Sequence, residues 1–384
     1  MHTQSPGRPS LSPALLAGGV VLVAINLRPA AASIGPVLDR IQADTGLSSG
    51  WAGALATLPV LCFGLLAPLA PPLARRLGVH TAIAVAMVAL VCGLLLRLVP
   101  GDVFLFAGTA VAGAAIATGN VLLPVIVRRD FSGRTGTAMA LYTTSLIGFA
   151  ALSAGTTVPL ANALGGGWRP GLGVWALPAV IAAVAWLPAF VRRDAPGRAV
   201  AGNGSPTPTV RPLLRQPLAW QVTLFFAVQS GGFYATLAWL PAIFRSHGAS
   251  DSRAGFLLSL SIVVGLLTST TLPGLATRLR NQQGLVVVCT TVWAVLLGLG
   301  QNSTFPLALM LIVLRGGALA STEGLSTLSQ SVGYMLAAIF PLAVGALHGA
   351  AGSWTPPLIL LLALLIPQMV FGLAAGRNRE LTVT

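Results

Sequence analysis

Leu11 to Val37 reads LSPALLAGGVVLVAINLRPAAASIGPV, and Arg28 is the one charged side chain in it. A bilayer-crossing helix needs about 20 mostly apolar residues, so this stretch is long and apolar enough to span. A guanidinium at that depth costs from about 3 to well over 10 kcal/mol and is retained where it faces a bundle interior or a wet cavity. Pro29 directly after Arg28, with Pro36 further on, predicts a local disruption of the helix where backbone groups can face such a cavity.

The rest of the chain repeats the pattern. Over 384 residues, 55% are hydrophobic and 8% charged, with a mean hydropathy of +0.85, the composition of a polytopic membrane protein. Twelve apolar stretches read as spans: Leu11 to Val37, Gly50 to Ala70, Thr81 to Leu98, Val103 to Val127, Thr137 to Leu164 and Leu172 to Val191, then Leu218 to Phe244, Ala254 to Pro273, Leu285 to Gly300, Phe305 to Leu319, Gly324 to Leu347 and Trp354 to Ala375. The longest polar stretch, Arg192 to Pro217, reads as a flexible linker. The predicted organisation is therefore a six-helix bundle over 1–192, a cytoplasmic linker over 193–217 and a second six-helix bundle over 218–384. Leu73-Ala74-Arg75-Arg76-Leu77 after the second span echoes Leu275-Ala276-Thr277-Arg278-Leu279 after the eighth, which supports two related halves.

The formal charge of +14 follows the loops. With both termini cytoplasmic, fifteen Arg and four acids fall inside, and four Arg and four Asp fall outside. This positive-inside distribution predicts the orientation and excludes a nucleic-acid partner, since no basic soluble module with interleaved aromatics is present. Trp51, Trp168 and Trp354 at outer ends and Trp220 at an inner end read as interfacial anchors. Met1 to Ser10 lacks the charged start and cleavage site of a secretory signal, so the first span is expected to be retained.

Several chemistries are excluded by residue type. The sequence contains no lysine, hence no phosphate-cradling Gly-Lys loop and no ATPase of that kind. Cys62, Cys92 and Cys289 are scattered within apolar spans and the four His are dispersed, so no metal and no cofactor are expected. No carboxylate pair lies in a span and no Ser has a matching His and acid, so the chain is not expected to be an enzyme.

Arg315 is the second arginine inside a predicted span. Arg28 lies nine residues before Val37 and Arg315 nine residues after Pro306. At about 1.5 Å per residue each is placed roughly 13 to 14 Å from the outer surface, near the bilayer midplane. Arg97, three residues before Pro100, reads instead as a snorkelling anchor. For Arg28 and Arg315 one account is hydrogen bonding to helix carbonyls or to neighbouring Asn, Gln and Tyr side chains. The other is an anion in transit, because a planar guanidinium grips a carboxylate or small oxyanion with two parallel bonds.

Three motifs carry a family resemblance: Asn26-Leu27-Arg28-Pro29, Thr57-Leu58-Pro59-Val60-Leu61-Cys62-Phe63-Gly64 and Gly119-Asn120-Val121-Leu122-Leu123-Pro124. Arg129-Asp130-Phe131 with Gly133-Arg134, Ala238-Trp239-Leu240-Pro241 and Gln330-Ser331-Val332-Gly333-Tyr334 add to them. Over essentially the whole chain the sequence resembles the cyanate and nitroimidazole transporter branch of the major facilitator superfamily. That resemblance implies an all-α membrane fold of twelve transmembrane helices in two pseudo-symmetric six-helix bundles. Their central cavity would be lined mainly by spans one, four, seven and ten, with alternating access by rocking of the halves. It puts Arg28 and Arg315 on spans one and ten, and by the same mapping makes Asn26, Asn120, Tyr142, Gln229, Tyr234, Trp239, Gln330 and Tyr334 candidates for the cavity wall. A gating loop would include Arg75, Arg76 and Arg134. The superfamily's loop motif carries an Asp where this chain has Arg75, which removes the usual carboxylate latch.

The expected function is a secondary transporter moving a small anion, cyanate being the family analogue, across a bacterial inner membrane. A monomer is expected, with the solute and the bilayer as its partners. Exporters of nitroimidazole-like or other small drugs, and a non-transporting receptor or sensor, are the alternatives. No Asp or Glu lies near mid-depth, so an exchanger, a facilitator or a symporter carrying its proton with the anion would each fit.

Overall fold

The computed structural model describes residues 13–131, 135–191, 210–279, 281–295, 297–316 and 319–381. Among the described residues eight stretches are long and apolar enough to cross a membrane by length and composition, and the helices group into twelve passes. The first is Pro13–Ala24, Pro29–Ala32 and Ile34–Thr45; the second is Ser49–Leu66 and Ala70–Leu77 joined by the turn Ala67–Leu69. Val79–Leu96, Asp102–Asp130 and Thr135–Ala163 are the third to fifth, and Trp168–Gly173 with Ala176–Val191 is the sixth. After the single turn Val210–Leu213 come Pro217–Ser246, Asp251–Arg278, Gln283–Val295 and Leu297–Gly316. Leu319–Ala337 with Ile339–Ala351 is the eleventh pass and Thr355–Ala363 with Leu365–Ala375 the twelfth. Most of the predicted linker, 192–209, lies outside the described residues, as does Arg134.

Prolines decide where the helices break. Pro36, Pro178, Pro341 and Pro367 each stand third in a helical segment that follows a break, at Ser33, Val174–Trp175, Ala338 and Leu364. A proline ring displaces the carbonyl four residues back and offers it no N–H, so the interruption falls just upstream. Pro29 does the same to the first pass one turn earlier. Asn26 and Leu27 bond back only three residues, to Val23 and Ala24 at 3.1 Å each. Arg28 then leaves helical geometry at φ −121°, ψ −34°.

Apolar side chains cover the outside, with Ile366 69% and Leu177 64% exposed, as a lipid-facing surface requires. An even number of passes returns the chain to its starting face, here called the terminal face. On the opposite face, passes from the two halves of the chain meet backbone to backbone. Gly35 lies on the Leu237 and Ala238 carbonyls, Gly53 on Pro341, Gly345 on Ser49 and Gly255 on Ala154. Ion pairs cross the same seam: Arg40 to Asp251 at 2.7 Å and Arg245 to Asp39 at 2.6 Å. A cavity of about 450 Å³ lies there, lined in part by Asp39, Trp239, Arg245, His348 and Trp354.

Trp168 is not a lipid-facing anchor. It is buried, and its Nε1 donates to Asp44 Oδ2 at 2.9 Å, beside Arg169 Nη1 at 2.7 Å. These two bonds hold the Asp44 carboxyl below the usual carboxylate range. A depressed acid stabilises the fold above its unfolded value and loses that contribution as pH falls through the folded one. Acidification through and below the ordinary carboxylate range should therefore change the fluorescence of the wild-type protein, and Asp44→Asn should remove that step. An identical acid limb in both proteins would exclude the link.

The tenth pass corrects the depth assigned to Arg315. Its helix begins at Leu297, not near Phe305, so Arg315 lies eighteen residues along, in the last turn. At about 1.5 Å per residue that is some 27 Å from the helix start, close to the terminal face rather than the midplane.

Candidate functional site

Arg28 sits at a junction between the halves. The residue is 7% exposed, its Nη1 donates to the Tyr234 hydroxyl, and the central carbon of its guanidinium stands 5.7 Å from the centre of that ring. Tyr234 lies seventeen residues into Pro217–Ser246 and twelve from its end, which places the contact near mid-depth. The Tyr334 ring stands 6.2 Å from that of Tyr234, and Tyr334 and Tyr142 of the fifth pass both bear on Arg28 electrostatically. The sequence has three tyrosines in 384 residues, and all of them gather on this one guanidinium.

Phenylalanines complete the wall. Phe63 packs edge-on against Tyr334 at 5.7 Å, Phe226 against Tyr334 at 5.1 Å and Phe233 against Tyr234 at 5.2 Å. The interlocked rings restrict where the hydroxyls can point. A guanidinium supplies several N–H donors and a phenol can both accept from it and donate onward. Together they form a cationic cluster with hydroxyl edges in a low-dielectric setting, where charge-assisted bonds are strong. Phe63 stands in one of the family motifs, but nothing in the sequence marks Phe226 or Phe233, so the ring wall was legible there only in part.

The remaining predicted residues divide. Asn120 is half buried beside Gly119, which packs on Leu27, one residue from Arg28. Asn26 turns away: its amide donates to the carbonyls of Leu22 at 2.7 Å and Pro178 at 3.1 Å, tying the first pass to the sixth. Gln229, one turn from both Phe226 and Phe233, accepts from Ser230 Oγ at 3.1 Å, and its Nε2 is buried with no hydrogen-bond partner among the described residues. Gln330 donates to Ser326 Oγ at 2.9 Å on its own helix. Trp239 is buried at the opposite-face seam, where its Nε1 donates to the Pro341 carbonyl at 2.9 Å. Arg75 and Arg76 are exposed at the end of Ala70–Leu77.

Arg315 does not meet Arg28. Its Nε donates to the Ala375 carbonyl at 2.9 Å, Nη2 to Gly376 at 3.2 Å and to Gln282 Oε1, and Nη1 to Arg379 at 3.4 Å. The Leu381 N–H returns to the Arg315 carbonyl at 2.9 Å. These are the orphan carbonyls at the end of the last helix, which a cation satisfies well. Arg315→Ala should cost about 1.5–3 kcal/mol, the range for hydrogen bonds to a charged group, and speed amide exchange over 375–381. Solute affinity should not change. Exchange as slow as wild type would show that the clamp carries no stability.

A family model described as Major Facilitator Superfamily matches residues 20–332. The chain is 38% identical over 380 residues to the uncharacterized transporter YycB of Bacillus subtilis (strain 168), covering 94% of this chain and 93% of that protein. It is 34% identical over 388 residues to the 2-nitroimidazole transporter of Escherichia coli (strain K12), covering 96% of each. To the cyanate transport protein CynX of the same organism it is 28% identical over 354 residues, covering 87% of this chain and 90% of that protein.

Proposed function

The chain belongs to the major facilitator superfamily, and from that premise we propose that Arg28 is the seat of a small anionic solute carried between the two faces. It is a transporter and a multi-pass membrane protein, not an enzyme. The observation that carries the solute reading is the Arg28 cluster itself: a permanent cation near mid-depth, held from the first pass and met by tyrosines of the seventh and eleventh. A solute bound there touches both halves of the chain, so rocking one half against the other would move its exposure from face to face. In this reading 1–192 and 218–384 are the two moving bundles, joined by the 193–217 linker. Both termini lie in the cytoplasm, the sidedness that the arginine distribution supports. The seam of Gly35, Gly53, Gly255 and Gly345 is then the closed outer gate.

The ring wall favours a second solute class. Aromatic edges around a guanidinium also suit a planar nitroazole, whose nitro oxygens accept from the same donors, and the 2-nitroimidazole relative is 34% identical to this chain against 28% for the cyanate one. Purified protein in detergent should discriminate, since a bound solute raises apparent stability by mass action. Cyanate and small carboxylates are expected to raise Tm in proportion to log concentration. A shift with 2-nitroimidazole and none with any anion would replace the first reading by the second. Binding without flux into proteoliposomes would indicate a receptor.

A further inference from the structure

Arg97 is a third arginine that the fold buries, and no role yet described uses it. It caps Val79–Leu96 at the end of the third pass and is 1% exposed, so it does not snorkel. Nη1 donates to the Ala30 carbonyl at 2.9 Å, while Nε and Nη2 are buried with no hydrogen-bond partner among the described residues. Gly108 packs against the Arg97 backbone and Cγ, which steers the side chain inward. A buried cation held by one bond is a net cost to folding, so its retention calls for a gain elsewhere.

Ala30 lies two residues from Arg28, in the four-residue segment Pro29–Ala32. Helical bonding in that segment stops with Ser33 N–H on the Pro29 carbonyl at 2.9 Å. The next carbonyl in line is Ala30, and it receives the Arg97 guanidinium. A single isolated helical turn has little stability of its own. We propose that Arg97 is a positioning residue: by holding the Ala30 carbonyl where the first pass breaks, it fixes the turn that presents Arg28 to Tyr234 and Tyr334. The inference deepens the Arg28 reading and rests on it for its consequence in solute binding, though not for its consequence in backbone order.

Arg97→Leu and Arg97→Lys in the full-length detergent-solubilised protein test it, with Arg97→Met as a second donor-free variant should the branched side chain fail to fold. Amide exchange over 25–34 should rise about tenfold in the donor-free variants, the factor that one bond to a charged group is worth. Tm should hold or rise, because an uncompensated charge has been removed. Affinity for whichever of cyanate and 2-nitroimidazole the wild type binds should fall by about the same factor, and Arg97→Lys should restore both readings. A purely structural arginine would instead lower Tm and raise exchange throughout the third pass. Unchanged exchange over 25–34, or its increase without rescue by lysine, overturns the proposal. If the wild type binds neither probe, the solute reading loses both of these solutes and the exchange measurement alone decides this proposal.

Discussion

Arg28→Gln is expected to lower affinity for a small anion at least about thirtyfold while the protein remains folded. Truncating one member of a buried charge contact costs about 2–5 kcal/mol, and every 1.4 kcal/mol is a factor of ten. Glutamine keeps a donor and some of the volume, so the loss isolates the charge. The fold should tolerate the change, because the desolvation cost of the guanidinium disappears with it. Arg28→Lys separates the solute classes. Lysine keeps a point charge but not the planar fork, and its compact ammonium is more strongly hydrated. An anion should retain part of its affinity in that variant, whereas a nitroazole bound through paired acceptors and ring packing should lose nearly as much as with glutamine. Solute counterflow in proteoliposomes, read beside the thermal shift, checks both. Undiminished flux in Arg28→Gln would remove Arg28 from the solute path.

Gly35→Val should abolish turnover and leave solute binding intact. A Cβ at Gly35 would overlap the Leu237 carbonyl oxygen and stand 3.1 Å from that of Ala238. Both obstacles are backbone of the seventh pass, so neither can swing aside as a side chain could. Overpacking typically costs about 1–3 kcal/mol, which biases a two-state equilibrium by about 5- to 150-fold. The cost falls on the conformation whose opposite face is closed, because that is where Gly35 and Leu237 touch. The variant should therefore dwell with this face open, and Gly35→Ala should act in the same direction more weakly. Removing the ion pairs at the same seam should do far less, since Asp39 and Asp251 have 47% and 33% side-chain exposure and such pairs are worth about 0.2–1 kcal/mol. Uptake measured beside labelling of a cysteine placed at the seam is the check. Normal turnover in Gly35→Val would show that the close approach is not part of the cycle.

Much of the architecture was readable along the chain. Hydropathy marked the passes, and Pro29 beside Arg28 announced a broken helix with a charge at the break. It also put Arg28 near the midplane, where the contact with Tyr234 lies. Tyr142, Tyr234 and Tyr334 were named as wall candidates through the family resemblance. They do converge on Arg28, although they come from passes far apart in sequence. The same mapping over-reached for Asn26 and Trp239, whose side chains bond away from Arg28; Gln229, one turn from Phe226 and Phe233, keeps a buried Nε2 with no hydrogen-bond partner among the described residues.

Arg315 and Arg97 mark the boundary between the two kinds of information. Both were assigned from distance to a span end, and both assignments failed for local reasons. The helix of the tenth pass starts at Leu297, eight residues before Phe305, which moves Arg315 from mid-depth to the terminal face. Arg97 points to the Ala30 carbonyl instead of to the lipid boundary. The sequence by itself determined the membrane class, the broken first helix and the residue at its break, because transfer from water and the missing proline N–H act on each segment alone. Only the tertiary structure decided which arginine faces tyrosine hydroxyls and which faces helix carbonyls. That choice depends on the rotation of each helix about its axis and on where it starts, and both are set by packing against passes remote in sequence.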